Sequence, residues 1–327
     1  MSKIAIIGSG SWGVALAQHL TNMGHTICIW SYSKQEQDLI NTERKCKTLP
    51  DVILNQNIYA SGDFKEIING AKYIIHVTPS KFTRETFKQY KEYVKDIPVI
   101  ICAKGFEKES LKTLDEVILD ELPTAKIGVL SGPSHAEEVS KNIPTVLVIA
   151  SKYKEVKNIV IETFASETMR IYTSEDVIGI ELGGALKNII AFCAGIASGI
   201  GLGDNTLAAL ITRGLAEIKK IGVMMGGKDE SFYGLSGLGD LIVTCTSDNS
   251  RNRRAGILIG KGYSLDYVKK EIGMVIESID NIDVAYELSK KYNIEMPIIT
   301  AVYNVLYNNA KPKEELVKLM TRKNKEE

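Results

Sequence analysis

Two short segments of the sequence carry residues that suit the binding of phosphate groups. Gly8, Gly10 and Gly13 have the spacing G-x-G-x-x-G between an apolar run and a helical pattern. In that context the first glycine permits a tight turn, the second lets a pyrophosphate approach the backbone, and the third lets the helix pack close to the strand. Residues 250–254, Ser-Arg-Asn-Arg-Arg, place three arginines behind a serine that can cap a helix. We predict a dinucleotide site at the first segment and a phosphate site at the second.

Two lysines are candidates for proton transfer or for the stabilisation of negative charge. Lys187 is the one charged residue between Gly183 and Ile200, and the burial of an unpaired ammonium is costly. A lysine that reaches the surface along its own alkyl chain is the alternative interpretation. Lys104 follows an apolar run at 97–103. It is therefore expected at the edge of the sheet where ligands of open α/β folds bind.

The elements that must position these residues alternate along the first half of the chain. Strands alternating with helices indicate a doubly wound parallel sheet. From residue 180 onward the pattern is helical, with no convincing strand run. We predict an α/β fold, with a Rossmann-type dinucleotide-binding domain over residues 1–179 and an all-helical substrate-binding domain over residues 180–327. The predicted strands lie at 3–7, 26–30, 73–80, 97–103, 126–130, 145–150 and 169–172.

A second helix start is indicated just after the strand at 126–130. Ser134 and Glu137 have the S-x-x-E spacing of a capping box. We predict that Ser134 caps this helix, whose N-terminus would suit an anion or a polar substrate.

The composition excludes several classes of function. Lys and Arg together number 40, as do Asp and Glu, so no global field attracts nucleic acid. The five cysteines lack CxxC spacing, which is typical of buried thiols in a reducing compartment and gives no metal-ligand pattern. No signal peptide is recognised, and no apolar run is expected to reach membrane-spanning length. We expect a cytoplasmic protein without metal, nucleic-acid partner or stable membrane insertion.

The residues after the strand at 26–30 bear on the choice of cofactor. An acidic residue near the end of this strand often bonds the ribose 2′-hydroxyl of NAD, but no Asp or Glu occurs before Glu36. No arginine is present to bind the 2′-phosphate of NADP either. We therefore predict a mixed preference. Tyr32 is a candidate for stacking on adenine, with an exposed loop aromatic as the alternative.

Seven stretches spread over nearly the whole chain form a series that is typical of one protein family. They are GSGSWGVALA at 8–17, AKGFE at 103–107, SGPSHAEEV at 131–139, ELGGALKNIIAFCAG at 181–195, GLGDNTLAALITRGLAEI at 201–218, GLSGLGDLIVTCTSDNSRNRRAG at 234–256 and MVIES at 274–278. On these stretches the sequence resembles the bacterial-type NAD(P)-dependent glycerol-3-phosphate dehydrogenase family. Departures from the family's pattern are His135 in place of Phe, Ser278 in place of Gly, and Tyr32-Ser33 in place of a more basic pair.

The resemblance implies the interconversion of dihydroxyacetone phosphate and sn-glycerol 3-phosphate by hydride transfer with NAD or NADP, feeding glycerophospholipid synthesis. It implies that Lys187 is the general acid/base, and we expect a homodimer. Implied substrate contacts are Lys104, Gly132, Ser134, Lys187, Asp240, Ser250, Arg251 and Asn252. Implied cofactor contacts, in addition to Gly8, Gly10 and Gly13 of the glycine motif, are Ser11, Trp12, Tyr32, Lys104, Ala136, Arg251, Val275 and Glu277.

Two other functions remain open from the residues alone. A β-hydroxyacid dehydrogenase could have the same two-domain plan and a lysine acid, although the arginines at 251–254 argue against substrates that carry only a carboxylate. A non-catalytic dinucleotide-binding redox sensor would need the glycine turn but not Lys187, Asp240 and the arginines together.

Overall fold

Short runs of β-branched residues form one large sheet in the first part of the chain. The computed structural model describes residues 1–323 and residue 326. Strand order in the large sheet is β10-β9-β8-β5-β4-β1-β2-β3, and β6 and β7 form a separate antiparallel pair. The strands are β1 Lys3–Ile7, β2 Thr26–Trp30, β3 Ile58–Ser61, β4 Ile74–His76, β5 Val99–Ile101, β6 Phe106–Glu107, β7 Lys112–Thr113, β8 Ile127–Ser131, β9 Thr145–Ala150 and β10 Met169–Ser174.

Neighbouring strands of the large sheet are parallel with one exception. β8 pairs with β9 in antiparallel fashion, so β9 and β10 run opposite to the rest. The predicted doubly wound parallel sheet is confirmed for the other neighbouring strands, and the pair β8–β9 departs from it. The helix between β8 and β9, α6, covers only Ala136–Val139, and one turn of helix is too short to carry the chain back along a five-residue strand. β3 was also missed, because its run of four residues lies in a polar segment.

Helices connect the strands and make up the second part of the chain. The predicted α/β fold followed by a helical region is therefore confirmed. The helices are α1 Ser11–Asn22, α2 Lys34–Asp38, α3 Phe64–Ile68, α4 Thr83–Val94, α5 Leu114–Glu121, α6 Ala136–Val139, α7 Lys154–Phe164, α8 Val177–Gly199, α9 Asp204–Met224, α10 Asp240–Thr246, α11 Arg251–Gly260, α12 Leu265–Ile272, α13 Glu277–Lys291, α14 Pro297–Tyr307 and α15 Pro312–Met320.

The chain divides into two compact units. The first contains Met1–Glu107 and Lys112–Glu181, and the second contains Lys108–Leu111 and the chain from Leu182 onward. The predicted boundary lies between residues 179 and 180, and residues 108–111 belong to the first domain in that prediction. In the structure the division falls inside α8, and the turn between β6 and β7 belongs to the second unit.

Helix α8 is long and apolar enough, by length and composition, to cross a membrane, but 94% of its most apolar window is buried inside the protein. The expectation that no apolar run reaches this length was wrong. The helix continues without a break through Gly195. Most of it lies in the second unit, and its apolar composition follows from being surrounded by protein on most sides.

The glycines of α8 allow a close approach of α11. A Cβ atom on Gly195 would lie 2.1 Å from the carbonyl oxygen of Arg253, and one on Gly256 would lie 2.1 Å from that of Phe192. One turn later, Gly199 makes the same kind of contact. The two helices therefore meet backbone to backbone, which fixes the helix of Lys187 against the helix that begins at Arg251.

Candidate functional site

The glycine turn of the first unit has the geometry that its spacing predicts. Gly8 has a φ of +125°, and a Cβ there would lie 3.1 Å from backbone atoms of Val77 and Thr78. A Cβ on Gly13 would lie 2.2 Å from the carbonyl oxygen of Gly8. Both positions require glycine, because β1, the start of α1 and the chain after β4 meet here at van der Waals distance.

Gly10 differs from the other two glycines because its surroundings are open. It is the N-cap of α1, and a Cβ there would have no atom within 4 Å. The first N–H groups of a helix have no acceptor within the helix, and the helix dipole is positive at this end. The space beside Gly10 and the N–H groups of Ser11 and Trp12 fit the pyrophosphate of a dinucleotide.

A second polar group of the first unit forms around Gly132. This residue has a φ of +132°, and its carbonyl oxygen accepts hydrogen bonds from Lys104 Nζ at 3.3 Å and from Ser134 Oγ at 2.9 Å. Lys104 follows β5 and Gly132 follows β8, and these two strands are parallel neighbours. Three predicted substrate residues are thereby brought together at the carboxyl edge of the sheet. Ala136, predicted to contact the cofactor, is buried at the start of α6.

The capping role predicted for Ser134 is wrong. The N-cap of α6 is His135, and the Ser134 hydroxyl donates backward to Gly132 instead. The positive φ of Gly132 turns the chain so that the helix begins one residue later than the S-x-x-E pattern requires. Ser134 therefore remains a polar group beside Gly132 and Lys104.

In the second unit, Lys187 is held by an acidic and a hydroxyl side chain. Its Nζ donates to Asp240 Oδ1 at 2.6 Å and to Thr244 Oγ1 at 2.6 Å. All three residues are buried, with exposed fractions of 6%, 1% and 3% for Lys187, Asp240 and Thr244. The alternative of a lysine reaching the surface is excluded. A buried ammonium is tolerated because a carboxylate partner lies at hydrogen-bond distance.

Asp240 and Thr244 lie one turn apart on α10, so both side chains face α8. A π-helical turn at Leu235–Gly239 leads directly into α10. A Cβ on Gly237 would lie 2.0 Å from the carbonyl oxygen of Phe232. The glycine in this turn therefore allows it to pack closely against the backbone of Phe232. Thr244 was missed in the sequence analysis, although its i, i+4 spacing from Asp240 is the signal that could have identified it.

A network of amide groups adjoins Lys187 on the same helix. Asn188 Nδ2 donates to Glu277 Oε2 at 3.2 Å, and Asn252 Nδ2 donates to Asn188 Oδ1 at 2.9 Å. Asn252 Oδ1 in turn accepts from the backbone N–H of Ser278 at 3.0 Å. The structure thus brings together Asn252 and Glu277, which were predicted for substrate and cofactor respectively. Asn188 was not among the predicted site residues and connects the two.

The basic segment forms the start of α11. Ser250 is its N-cap, accepting a hydrogen bond from the backbone N–H of Arg253, as predicted. Arg251 donates from Nη1 to the carbonyl oxygen of Val275 at 3.2 Å, while Arg253 pairs with Asp248 at 2.7 Å. A helix N-terminus with a partly buried guanidinium beside it suits a phosphate group. Among the described residues, no cluster of three or more His, Cys, Asp or Glu could hold a metal ion.

Two family models match almost the whole chain. The model for the N-terminal part of NAD-dependent glycerol-3-phosphate dehydrogenase matches residues 3–157. The model for the C-terminal part of the same family matches residues 176–317. The chain belongs to the NAD-dependent glycerol-3-phosphate dehydrogenase family.

Individual members of the glycerol-3-phosphate dehydrogenase family are similar over their full length. An NAD(P)+-dependent glycerol-3-phosphate dehydrogenase of Fusobacterium nucleatum is 48% identical, with 99% of this chain and 98% of that protein covered. One of Clostridium perfringens is also 48% identical, with 100% and 99% covered. A crystal structure of the glycerol-3-phosphate dehydrogenase of Coxiella burnetii has a TM-score of 0.95 at 37% identity, covering 98% of this chain and 99% of that one.

The open space at Gly10 yields a test of the dinucleotide site in this dehydrogenase. We expect Gly10→Ala to retain the wild-type melting temperature, because its φ of −68° suits alanine and a Cβ meets nothing there. The added methyl would occupy the pyrophosphate's place, so the Kd for NADH should rise by about tenfold or more. Fluorescence titration with NADH measures this effect.

Gly203→Ala is the matched control for Gly10→Ala. Gly203 is also a helix N-cap with open surroundings, but it precedes α9 in the second unit. We expect both variants to melt like the wild type and only Gly10→Ala to bind NADH more weakly. Equal NADH affinity for Gly10→Ala and the wild type would contradict the assignment.

Proposed function

We propose that this enzyme interconverts dihydroxyacetone phosphate and sn-glycerol 3-phosphate with NAD(H) or NADP(H), using Lys187 as the general acid/base. The observation that carries the proposal is the buried Lys187–Asp240 pair with its 2.6 Å contact. A lysine in this state is a proton donor held in one position. The names of the full-length relatives support the choice of substrate.

The proton chemistry follows from the side chains around Lys187. The nicotinamide cofactor, when bound, supplies the hydride to the ketone carbon or accepts it from the alcohol carbon. In the direction of reduction, Lys187 Nζ gives a proton to the substrate oxygen as negative charge develops there. Asp240 and Thr244 keep Nζ in place, and Asp240 balances the ammonium charge before the proton leaves. In the direction of oxidation, the neutral amine takes the hydroxyl proton.

The start of α11 is proposed to bind the substrate phosphate. Ser250, Arg251 and Asn252 are consecutive, so helix N–H groups, a guanidinium and an amide lie within one turn. The phosphate is remote from the reacting carbon, and its binding energy orients the ketone relative to Lys187. Asn252 bonds Asn188, the residue after Lys187, at 2.9 Å, and this contact supports a common substrate for the two groups.

The residues of the first unit are proposed to hold the cofactor and to add polar contacts to the substrate. Gly8, Gly10, Ser11, Trp12 and Gly13 would bind the pyrophosphate at α1. Tyr32, which is 86% exposed, is a candidate for the adenine. Further substrate contacts are proposed for Lys104, Gly132 and Ser134, and further cofactor contacts for Lys104, Ala136, Arg251, Val275 and Glu277.

The free-energy cost of burying Lys187 argues against a redox sensor that only binds a cofactor. The buried Lys187–Asp240 pair contributes little net stability when compared with apolar side chains of similar volume. A protein that only binds a dinucleotide would have no use for it. A β-hydroxyacid dehydrogenase shares the need for a lysine acid but not for the basic start of α11.

Removal of Lys187 should abolish turnover while cofactor binding is retained. We expect Lys187→Ala to lower kcat by about a thousandfold or more, because the general acid also neutralises developing charge. Steady-state oxidation of NADH with dihydroxyacetone phosphate measures kcat, and fluorescence titration measures the cofactor Kd. A loss of less than about tenfold would exclude the role.

A control is needed because Lys187→Ala leaves Asp240 buried and unpaired, which destabilises proteins by about 3–5 kcal/mol. The double variant Lys187→Met, Asp240→Asn removes both charges. It should melt closer to the wild type than Lys187→Ala does and should remain inactive.

Replacement of Arg251 should affect phosphorylated substrate selectively. We expect Arg251→Ala to raise KM and lower kcat for dihydroxyacetone phosphate, with a combined loss in kcat/KM of about a hundredfold. Turnover of unphosphorylated dihydroxyacetone should be slow in the wild type and little changed in the variant. The cofactor Kd is measured in parallel, since Arg251 is also a proposed cofactor contact.

Arg254→Ala is the matched control, because Arg254 is exposed on the same turn of α11. It should leave both substrates nearly unaffected. If Arg251→Ala weakens the turnover of both substrates by the same factor, Arg251 does not bind the phosphate.

We further propose that the enzyme is a cytoplasmic homodimer whose product supplies glycerophospholipid synthesis. Support for association comes from apolar side chains on α15, where Val317 and Met320 are 59% and 77% exposed. Light scattering should give twice the chain mass of 36.0 kDa. Substitution of both residues by serine should lower that mass, and a monomeric wild type would disprove the dimer.

A further inference from the structure

The segment that follows β2 contains a buried carboxylate, that of Glu36. Ser33 caps α2 by accepting a hydrogen bond from the backbone N–H of Glu36 at 3.3 Å. Gln37 Nε2 donates to the carbonyl oxygen of Ser31 at 2.7 Å, which holds the helix against the end of β2. Glu36 is consequently only 9% exposed. Two residues earlier, the side chain of Lys34 is 78% exposed.

The neighbours of Glu36 lie at the glycine turn. Burial chiefly, and the Glu36 carboxylate to a smaller extent, raise the pKa of the Cys46 thiol, so the two side chains are close. Cys46 Sγ lies 3.9 Å from the carbonyl oxygen of Ser9, the residue between Gly8 and Gly10. The hydroxyl of Ser9 donates to Ser31 Oγ at 2.8 Å. Glu36 therefore borders the turn proposed to bind the dinucleotide.

One oxygen of this carboxylate has no hydrogen-bond donor. Oε1 of Glu36 is buried and accepts no hydrogen bond from the residues that the structure describes. A buried carboxylate oxygen without a donor is costly, and nearly all such atoms in proteins are satisfied by some partner. The position at the end of β2, beside the glycine turn, is where the adenosine ribose binds in folds of this type. Its hydroxyl groups are donors.

We propose that Glu36 bonds the adenosine ribose hydroxyls of the cofactor and makes this enzyme select NADH over NADPH. The inference rests on the proposed dinucleotide site at Gly8–Gly13. It replaces the expectation of a mixed preference, which rested on the absence of an acidic residue between β2 and Glu36. The connection between β2 and α2 is short, and the cap at Ser33 turns the chain so that Glu36 lies near the end of β2.

The charges around Glu36 support discrimination against NADPH. A 2′-phosphate would bring negative charge next to the Glu36 carboxylate, and like charges in a partly desolvated site repel. Two cations of this segment have partners of their own. Lys34 pairs with Asp38 at 3.1 Å, and Arg44 donates from Nη1 to the carbonyl oxygen of Ile58 at 2.7 Å.

The test begins with the unmodified enzyme. Fluorescence titration should give a Kd for NADPH that is about tenfold or more above that for NADH, because a charge-assisted hydrogen bond is replaced by charge repulsion. The NADH analogue that lacks the ribose 2′-hydroxyl should also bind several-fold more weakly than NADH. Equal or tighter binding of NADPH would overturn the proposal without any variant being made.

Glu36→Gln tests the residue itself, with Glu43→Gln as the matched control. Glu43 is exposed seven residues later, so its variant removes the same charge away from the turn. We expect Glu36→Gln to bring the ratio of the two Kd values close to one and to lose sensitivity to the missing 2′-hydroxyl. Glu43→Gln should keep the wild-type ratio.

Two outcomes would distinguish a failure of the proposed cofactor site from a failure of the role of Glu36. If neither NADH nor NADPH binds the folded wild type, the assignment of the glycine turn fails. If both bind but Glu36→Gln and the wild type have the same Kd ratio, the turn stands and the role of Glu36 is overturned.

Discussion

One buried ion pair positions two helices of the second unit. An ammonium and a carboxylate removed from water lose several kcal/mol of hydration each, which their attraction recovers only when the contact is short and further hydrogen bonds are made. Lys187 and Asp240 meet both conditions through the 2.6 Å contact and the hydroxyl of Thr244. The pair therefore fixes α8 relative to α10 to within the tolerance of a hydrogen bond. The apolar surroundings of α8 make any looser arrangement unfavourable.

The same helix links the ion pair to the amide network. Lys187 and Asn188 are consecutive, so the orientation that buries the first also directs the second towards Glu277 and Asn252. Amide groups can donate and accept at once, and Asn252 uses both capacities. A displacement at the start of α11 would therefore be transmitted through Asn188 to Lys187. The proposed proton donor and the proposed phosphate site are thus joined by hydrogen bonds within one unit.

Local signals in the sequence identified much of this structure. The glycine turn, the cap at Ser250 and the buried position of Lys187 were predicted correctly because each depends on short-range spacing. Features that depend on contacts between distant parts of the chain were not predicted from the sequence. The antiparallel β9 follows from the shortness of α6, and the loss of the Ser134 cap follows from the backbone of Gly132. Thr244 and Asn188 are positioned by partners more than fifty residues away.

The backbone contact between α8 and α11 has a consequence for substrate length. Side chains at a helix interface can repack, but carbonyl oxygens within van der Waals reach of glycine Cα atoms cannot approach further. The separation between Lys187 and the start of α11 is thus set by the absence of side chains at Gly195 and Gly256. A three-carbon phosphate ester needs a proton donor and an anion site at one particular spacing. Larger residues at these glycines would move the helices apart, so these positions help to set the distance between the proposed proton donor and the proposed anion site.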